Sequence, residues 1–79
     1  MHYVYVLKSN KDGKYYIGST DNLKSRFAEH QAGKVTSTKY RIPFVLVCYE
    51  AYQDKLIAQR RERFLKSSDG HKDLHRRLK

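Results

Sequence analysis

Arg26 and His30 stand four residues apart, and a single acid, Glu62, sits among the basic residues Arg60, Arg61, Arg63 and Lys66. On a helix, positions i and i+4 lie one turn apart on the same face. A guanidinium grips two phosphate oxygens at once and offsets the charge that builds on them during displacement. An imidazole carries a proton near neutral pH or hydrogen-bonds a phosphate. A carboxylate is a hard oxygen ligand suited to Mg2+ or Mn2+. Two tyrosines, Tyr5 and Tyr16, fall in segments of β pattern, and a phenol can orient an attacking water or donate to a phosphate oxygen. Each residue also has an ordinary structural use. Strand tyrosines are commonly half-buried packing groups, and a helix arginine is commonly solvated. His30 can be an ordinary half-exposed histidine, and Glu62 can pair with an adjacent arginine or with Lys66 at i+4.

The elements that must hold these groups follow from local pattern. Tyr3 to Leu7 is aromatic and β-branched and reads as a strand, with Tyr3, Tyr5 and Leu7 on one face and Val4 and Val6 on the other. Ser9 to Gly13 is a turn cluster ending in Asp-Gly, and Lys14 to Ser19 returns as a second strand, giving an antiparallel hairpin. Thr20-Asp21-Asn22 signals a helix start. That helix is expected from about Asn22 to Ala32, with Leu23 and Phe27 as its apolar stripe and Gly33 as its stop. Gly33 to Ile42 has no periodicity and reads as a polar, basic loop. Phe44 to Tyr49 is apolar on both faces, which suits a strand covered on both sides. Asp54 caps a helix expected from about Lys55 to Lys66, with Ile57, Ala58, Phe64 and Leu65 inward and Arg61 awkwardly near the middle of that face. Ser67 to Gly70 reads as a break, and His71 to Leu78 as a last short helix. The order β-β-α-β-α-α argues for an α+β fold, a three-stranded antiparallel sheet flanked by helices.

Seventy-nine residues suffice for one compact domain, 1–79, with a shallow groove rather than a deep private cavity. A net charge of +9 attracts polyanions: nucleic acid, anionic membrane or an acidic protein. From Arg60 to Lys79, eight basic residues face three acidic ones, so the tail is one candidate contact surface. The loop residues Lys34, Lys39, Tyr40 and Arg41 form another, tracking a phosphate backbone while Tyr40 stacks on a base. The hydroxyls of Thr36, Ser37 and Thr38 can add phosphate contacts. A solvated polar loop is the plain alternative. The longest apolar run is too short to span a bilayer. No secretory signal is visible, since Lys8 interrupts the first apolar run. Cys48 alone forms no internal disulfide and suits a reducing cytoplasm.

Four segments resemble the GIY-YIG nuclease family in order and spacing: Tyr3-Val4-Tyr5, Tyr15 to Ser19, Asn22 to His30, and Arg60 to Lys66. The resemblance covers nearly the whole chain. It is closest to small single-domain members similar to the N-terminal nuclease domain of the excinuclease of DNA repair. It implies a divalent-metal-dependent endonuclease acting on DNA, single-stranded or branched DNA included. Tyr5 and Tyr16 correspond to the family's strand tyrosines, Arg26 to its phosphate-holding arginine and His30 to an assisting histidine. Glu62 corresponds to the ligand of Mg2+ or Mn2+. Two departures stand out. Tyr3 replaces the leading glycine of the family tripeptide, a position that chiefly shapes the strand. The stretch Ser67 to Asp73 lacks the aromatic and basic residues that relatives carry around a glycine, so no substrate contact is assigned there. The rival from another class is a non-catalytic nucleic-acid-binding module on the same scaffold. The sequence carries no appended zinc or DNA-binding unit, so selectivity rests on the loop, the tail, a homodimer or a partner protein. A monomer and a homodimer are both compatible with it.

Overall fold

The structure is a computed structural model that describes residues 1–78. Lys79, the last residue of the basic tail, lies outside the described residues. The elements are β1 (His2–Ser9), β2 (Tyr15–Thr20), α1 (Leu23–Gln31), β3 (Phe44–Tyr52), α2 (Lys55–Lys66) and α3 (Ser68–Arg77). The expected α+β architecture is present: an antiparallel sheet in the order β2-β1-β3, with the helices packed on it.

The alternation of β1 divides the core in two. Val4 and Val6 meet Ile17, Ala58, Leu65 and Leu74 on the α2–α3 side. Tyr5 and Leu7 meet Phe44, Tyr16, Leu23 and Phe27 on the α1 side. The starts of α1 and α2 are those expected from their caps. Asn22 accepts from the Ser25 N–H at 3.1 Å, and Asp54 accepts from the Leu56 N–H at 2.8 Å. Gly33, at φ +73°, turns the chain out of α1.

Three sequence expectations need correction. The strand covered on both faces is β1, whose Val4 to Leu7 are all buried. The apolar run from Phe44 instead forms an edge strand, and Val45, Leu46 and Tyr49 are exposed. The inward face of α2 is narrower than expected: Ala58 and Leu65 are buried, while Ile57 and Phe64 are exposed. Arg61 resolves its awkward position by a two-pronged pair with Glu50, at 2.9 and 3.1 Å. The third correction concerns Ser67 to Gly70, which is a helix start and not a break. The Ser67 hydroxyl accepts from the Gly70 N–H at 3.2 Å and caps α3. Gly70 lies within the first turn of α3, where a Cβ would overlap the Phe64 carbonyl and Leu65 Cα of α2.

Candidate active site

Tyr5 lies in the central strand and is only 2% exposed. Its hydroxyl crosses the neighbouring strand at Gly18, the residue paired with it in register. A Cβ at Gly18 would overlap the Tyr5 hydroxyl and ring, so the glycine is what lets the phenol lie there. Gly18→Ala is therefore expected to displace the Tyr5 ring. The cost should be about 1–3 kcal/mol of stability, read from the denaturation midpoint. Unchanged stability together with an unmoved Tyr5 ring resonance would contradict this packing.

Behind Tyr5 stands His30, which is completely buried. The Tyr5 hydroxyl is 2.9 Å from His30 Nε2, and His30 Nδ1 is 2.9 Å from the Thr38 hydroxyl. Thr38, also fully buried, donates to the Val35 carbonyl at 3.4 Å. That donation leaves the Thr38 oxygen to accept from Nδ1–H, and Nε2 to accept from the phenol. The resulting chain runs Tyr5 O–H to His30, His30 N–H to Thr38, and Thr38 O–H to the Val35 carbonyl. Burial, reinforced by the positive charge of Arg26, holds the His30 pKa below the ordinary 6.5. Burial also pushes the Tyr5 phenol above 10, although the Arg26 guanidinium beside it pulls the other way.

The half-exposed histidine of the sequence-based alternative is thus absent. Burial keeps His30 from direct contact with a phosphate, so its influence runs through Tyr5. Thr38, expected among the phosphate-contacting hydroxyls, instead orients this imidazole. Thr38→Val should leave Nδ1–H without an acceptor and cost about 1–3 kcal/mol. Thermal denaturation checks this, and an unchanged midpoint would argue against the hydrogen-bonded chain.

Tyr16 is less buried than Tyr5. Its ring lies 5.0 Å from that of His30 and 6.4 Å from that of Tyr5. Arg26, one turn before His30 on α1, keeps its guanidinium partly open to solvent and makes a long 3.9 Å ion pair with Glu29. The Tyr5 phenol beside it raises the arginine's pKa further, so its charge is permanent.

Glu62 approaches from the other face of the sheet. Its Oε1 accepts from the Ser19 hydroxyl at 2.6 Å, and its Oε2 from Lys66 Nζ at 2.8 Å. Ser19 follows Gly18 in β2, so the two residues point to opposite faces. Tyr16 and Gly18 on one face and the Ser19–Glu62 pair on the other therefore flank the same edge strand. The negative charge of Glu62 is felt at Tyr5. Burial alone would raise the Glu62 pKa, but the Lys66 and Ser19 hydrogen bonds outweigh it and hold the carboxylate below its ordinary range.

The loop residues divide. Tyr40 is 74% exposed, with the Lys39 ammonium over its ring. Arg41 is committed elsewhere: its guanidinium pairs with Asp12 at 2.7 Å and reaches the Lys14 carbonyl at 3.3 Å. The Arg41 guanidinium, with the Lys14 N–H donating to the Asp12 carboxylate at 2.9 Å, holds that carboxyl at about 2. Arg41 therefore pins the loop to the β1–β2 turn, while Lys34, Thr36, Ser37, Lys39 and Tyr40 of the loop are exposed. The contributions of Gly18, Ser19 and Thr38 escape sequence reasoning. For Ser19, the strand alternation that turns it away from Tyr16 is the available signal.

The model of the GIY-YIG catalytic domain matches residues 1–79. The chain belongs to the GIY-YIG family. Among relatives, it is 46% identical over 67 residues to UPF0213 protein SH2523 of Staphylococcus haemolyticus, covering 84% of this chain and 80% of that protein. It is 43% identical over 63 residues to UPF0213 protein VNG_2274C of Halobacterium salinarum, covering 78% and 80%. The solution NMR structure of UPF0213 protein BH0048 from Bacillus halodurans superposes with a TM-score of 0.58 at 37% identity, covering 92% of this chain and 80% of that one. This GIY-YIG domain therefore carries a nuclease-family fold, and no described helix is long and apolar enough to cross a membrane.

Proposed function

We propose that this GIY-YIG protein is a divalent-metal-dependent endonuclease that hydrolyses phosphodiester bonds in DNA. The reading is supported by the grouping of Tyr5, Tyr16 and Arg26 on the α1 side of the sheet, with a neutral histidine hydrogen-bonded behind Tyr5, and by Glu62, which is bonded to Ser19 of β2 and whose charge acts on Tyr5. Tyr5 has a proton acceptor at its back. As its oxygen takes a proton from the attacking water, its own proton passes to His30 Nε2. Thr38 holds the imidazole in the tautomer that can receive it. Tyr16, the more open phenol, orients the water. Arg26 grips the phosphate and offsets the charge gathering on its oxygens.

Glu62 fits a hard divalent ion. It is an ionised oxygen donor with the Ser19 hydroxyl alongside. One protein carboxylate completed by waters and substrate phosphate is the pattern Mg2+ accepts, and Mn2+ takes similar oxygen donors. When bound, such an ion supplies positive charge to the phosphate oxygens and lowers the pKa of a coordinated water. Lys34, Lys39 and Tyr40 extend the contact along the strand. A second function, binding without cleavage, draws on one observation: both Glu62 oxygens already have hydrogen-bond partners within the chain.

A labelled panel of single-stranded, duplex, branched and RNA substrates separates the two, assayed with Mg2+, Mn2+ or EDTA. The nuclease predicts metal-dependent cutting that is lost in Arg26→Ala and Glu62→Gln. Binding with no cutting under any condition would leave the non-catalytic module.

The relay also sets a pH dependence. His30 must be neutral to receive the proton, and its folded pKa is depressed. The acid limb of kcat/KM assigned to it should therefore fall below pH 6.5. The stability contributed by the neutral imidazole is complete above the unfolded value of about 6.5 and declines as pH falls below it. NMR titration of the His30 ring checks this, and a midpoint at or above 6.5 would contradict the buried relay.

A further inference from the structure

We propose that the cavity between the β1–β2 turn and α3 is a nucleotide subsite, which holds the nucleic-acid strand at a distance from the candidate active site. Gly13, Lys14, Tyr15, His71 and His75 line it, around a volume of about 280 Å³. The inference rests on the DNA substrate proposed above and not on its cleavage. It assigns a contact to the stretch Ser67 to Asp73, for which the family resemblance supplies none.

Alternation along β2 fixes where the cavity lies. Tyr15, Ile17 and Ser19 share one face of the strand, and Ser19 is the residue bonded to Glu62. Four residues of strand separate Tyr15 from Ser19, about 13 Å, the length of about four stacked nucleotides. Lys66 follows Glu62 by one turn of α2 and is half-exposed, so positive charge continues from the carboxylate toward the start of α3. On α3, the exposed Lys72 and Arg76 each directly follow one of the two histidines.

The lining selects the ligand. His71 and His75 stand one turn apart with ring centroids separated by 6.2 Å, and the His75 ring meets the Tyr15 ring edge-on at 5.3 Å. His71 Nδ1 donates to the Leu65 carbonyl at 2.8 Å, which leaves Nε2 as the free edge of that ring. A neutral ring presents Nε2 to a base amino group, and a protonated ring donates from it to a phosphate oxygen. A nucleotide carries both partners. Lys14 adds a cation for the phosphate, and an imidazole face can stack on a base. The Lys8 ammonium lies over the Tyr15 ring at 5.9 Å. With two ammonium groups at hand and no carboxylate among the lining residues, the cavity disfavours a metal ion and favours an anion. Four of the five lining residues are exposed. That suits one segment of an extended polymer, whereas a separate small-molecule site buries most of its ligand.

The test is fluorescence anisotropy of the whole chain with a labelled single DNA strand of about ten nucleotides, in EDTA so that no cutting intervenes. Lys14→Ala and His75→Ala, both at exposed positions, should each weaken binding about fivefold or more with an unchanged fold by NMR, the loss of one phosphate or one stacked base. Lys11→Ala removes the same charge from the same turn but outside the cavity, and should weaken binding less than about twofold. The ring resonances of His71 and His75 should shift as the strand is added. Unmoved rings, a Lys11→Ala loss equal to that of Lys14→Ala, or a wild-type chain that binds no strand would overturn the proposal. So would a mononucleotide that moves both rings with the affinity of the strand, since that marks a separate small-ligand site. Binding with the expected losses by a chain that cuts nothing would sink the nuclease and keep the subsite. DNA cutting with binding indifferent to both substitutions would do the reverse.

Discussion

Replacing Glu62 by glutamine is expected to lower metal-dependent cleavage at least ~10³-fold and to leave nucleic-acid affinity nearly unchanged. Glutamine has almost the same shape, and its carbonyl can still accept from Ser19 in place of Oε1. It lacks the charge that a hard divalent ion requires of its one protein ligand. Losing the transition-state charge stabilisation such an ion supplies costs several kcal/mol, and each 1.36 kcal/mol is about tenfold in rate. Folding should be almost indifferent. The Lys66 partner is half-exposed at i+4, and such pairs contribute about 0.2–0.5 kcal/mol. Single-turnover cleavage and equilibrium binding, measured together with and without Mn2+, separate these effects. A variant that cuts within about tenfold of the wild-type rate would remove Glu62 from the chemistry. One that loses cleavage and stability together would mark it as structural.

Gly70→Ala is expected to be the most destabilising of the glycine-to-alanine changes, at about 3 kcal/mol or more. The sign is opposite to the usual one. Inside a helix, alanine ordinarily favours folding over glycine by about 1 kcal/mol. Here the new Cβ would overlap the Phe64 carbonyl and Leu65 Cα, which are backbone and cannot swing aside. To admit it, α3 must lift from α2 and withdraw Leu74 from the core shared with Val4, Val6 and Leu65. For a domain of this size the melting temperature should fall by more than about 10 °C. An unchanged or raised melting temperature would show that α2 and α3 separate without cost.

What is legible in the sequence depends on the range of the signal. The hairpin, α1 and the start of α2 are readable because alternation, Asp-Gly and the Asn22 and Asp54 caps act within a few residues. The start of α3 is not, because Ser67 to Gly70 carries turn residues. Ser67 is used as a cap, and the glycine is demanded by a neighbouring helix. The candidate site follows the same division. Tyr5, Tyr16, Arg26, His30 and Glu62 emerge from residue type, spacing and family resemblance. That Thr38 serves His30, that Gly18 admits the Tyr5 phenol and that Asp12 occupies Arg41 is not visible there. Each of those contacts joins residues at least eight positions apart in sequence, or lies across a strand pair.

By itself the sequence determined the α+β element order, the faces of β1 and the residue types that a phosphodiester chemistry would need. Local dihedral preferences, caps and periodicity settle those within one element. Only the tertiary structure decided that β1 is the central strand and β3 an exposed edge, that His30 is sealed behind Tyr5, and that Glu62 meets β2 from the opposite face. Those outcomes depend on which elements become neighbours. Burial, and with it the displaced pKa values and the cavity beside α3, is a property of packing between distant segments.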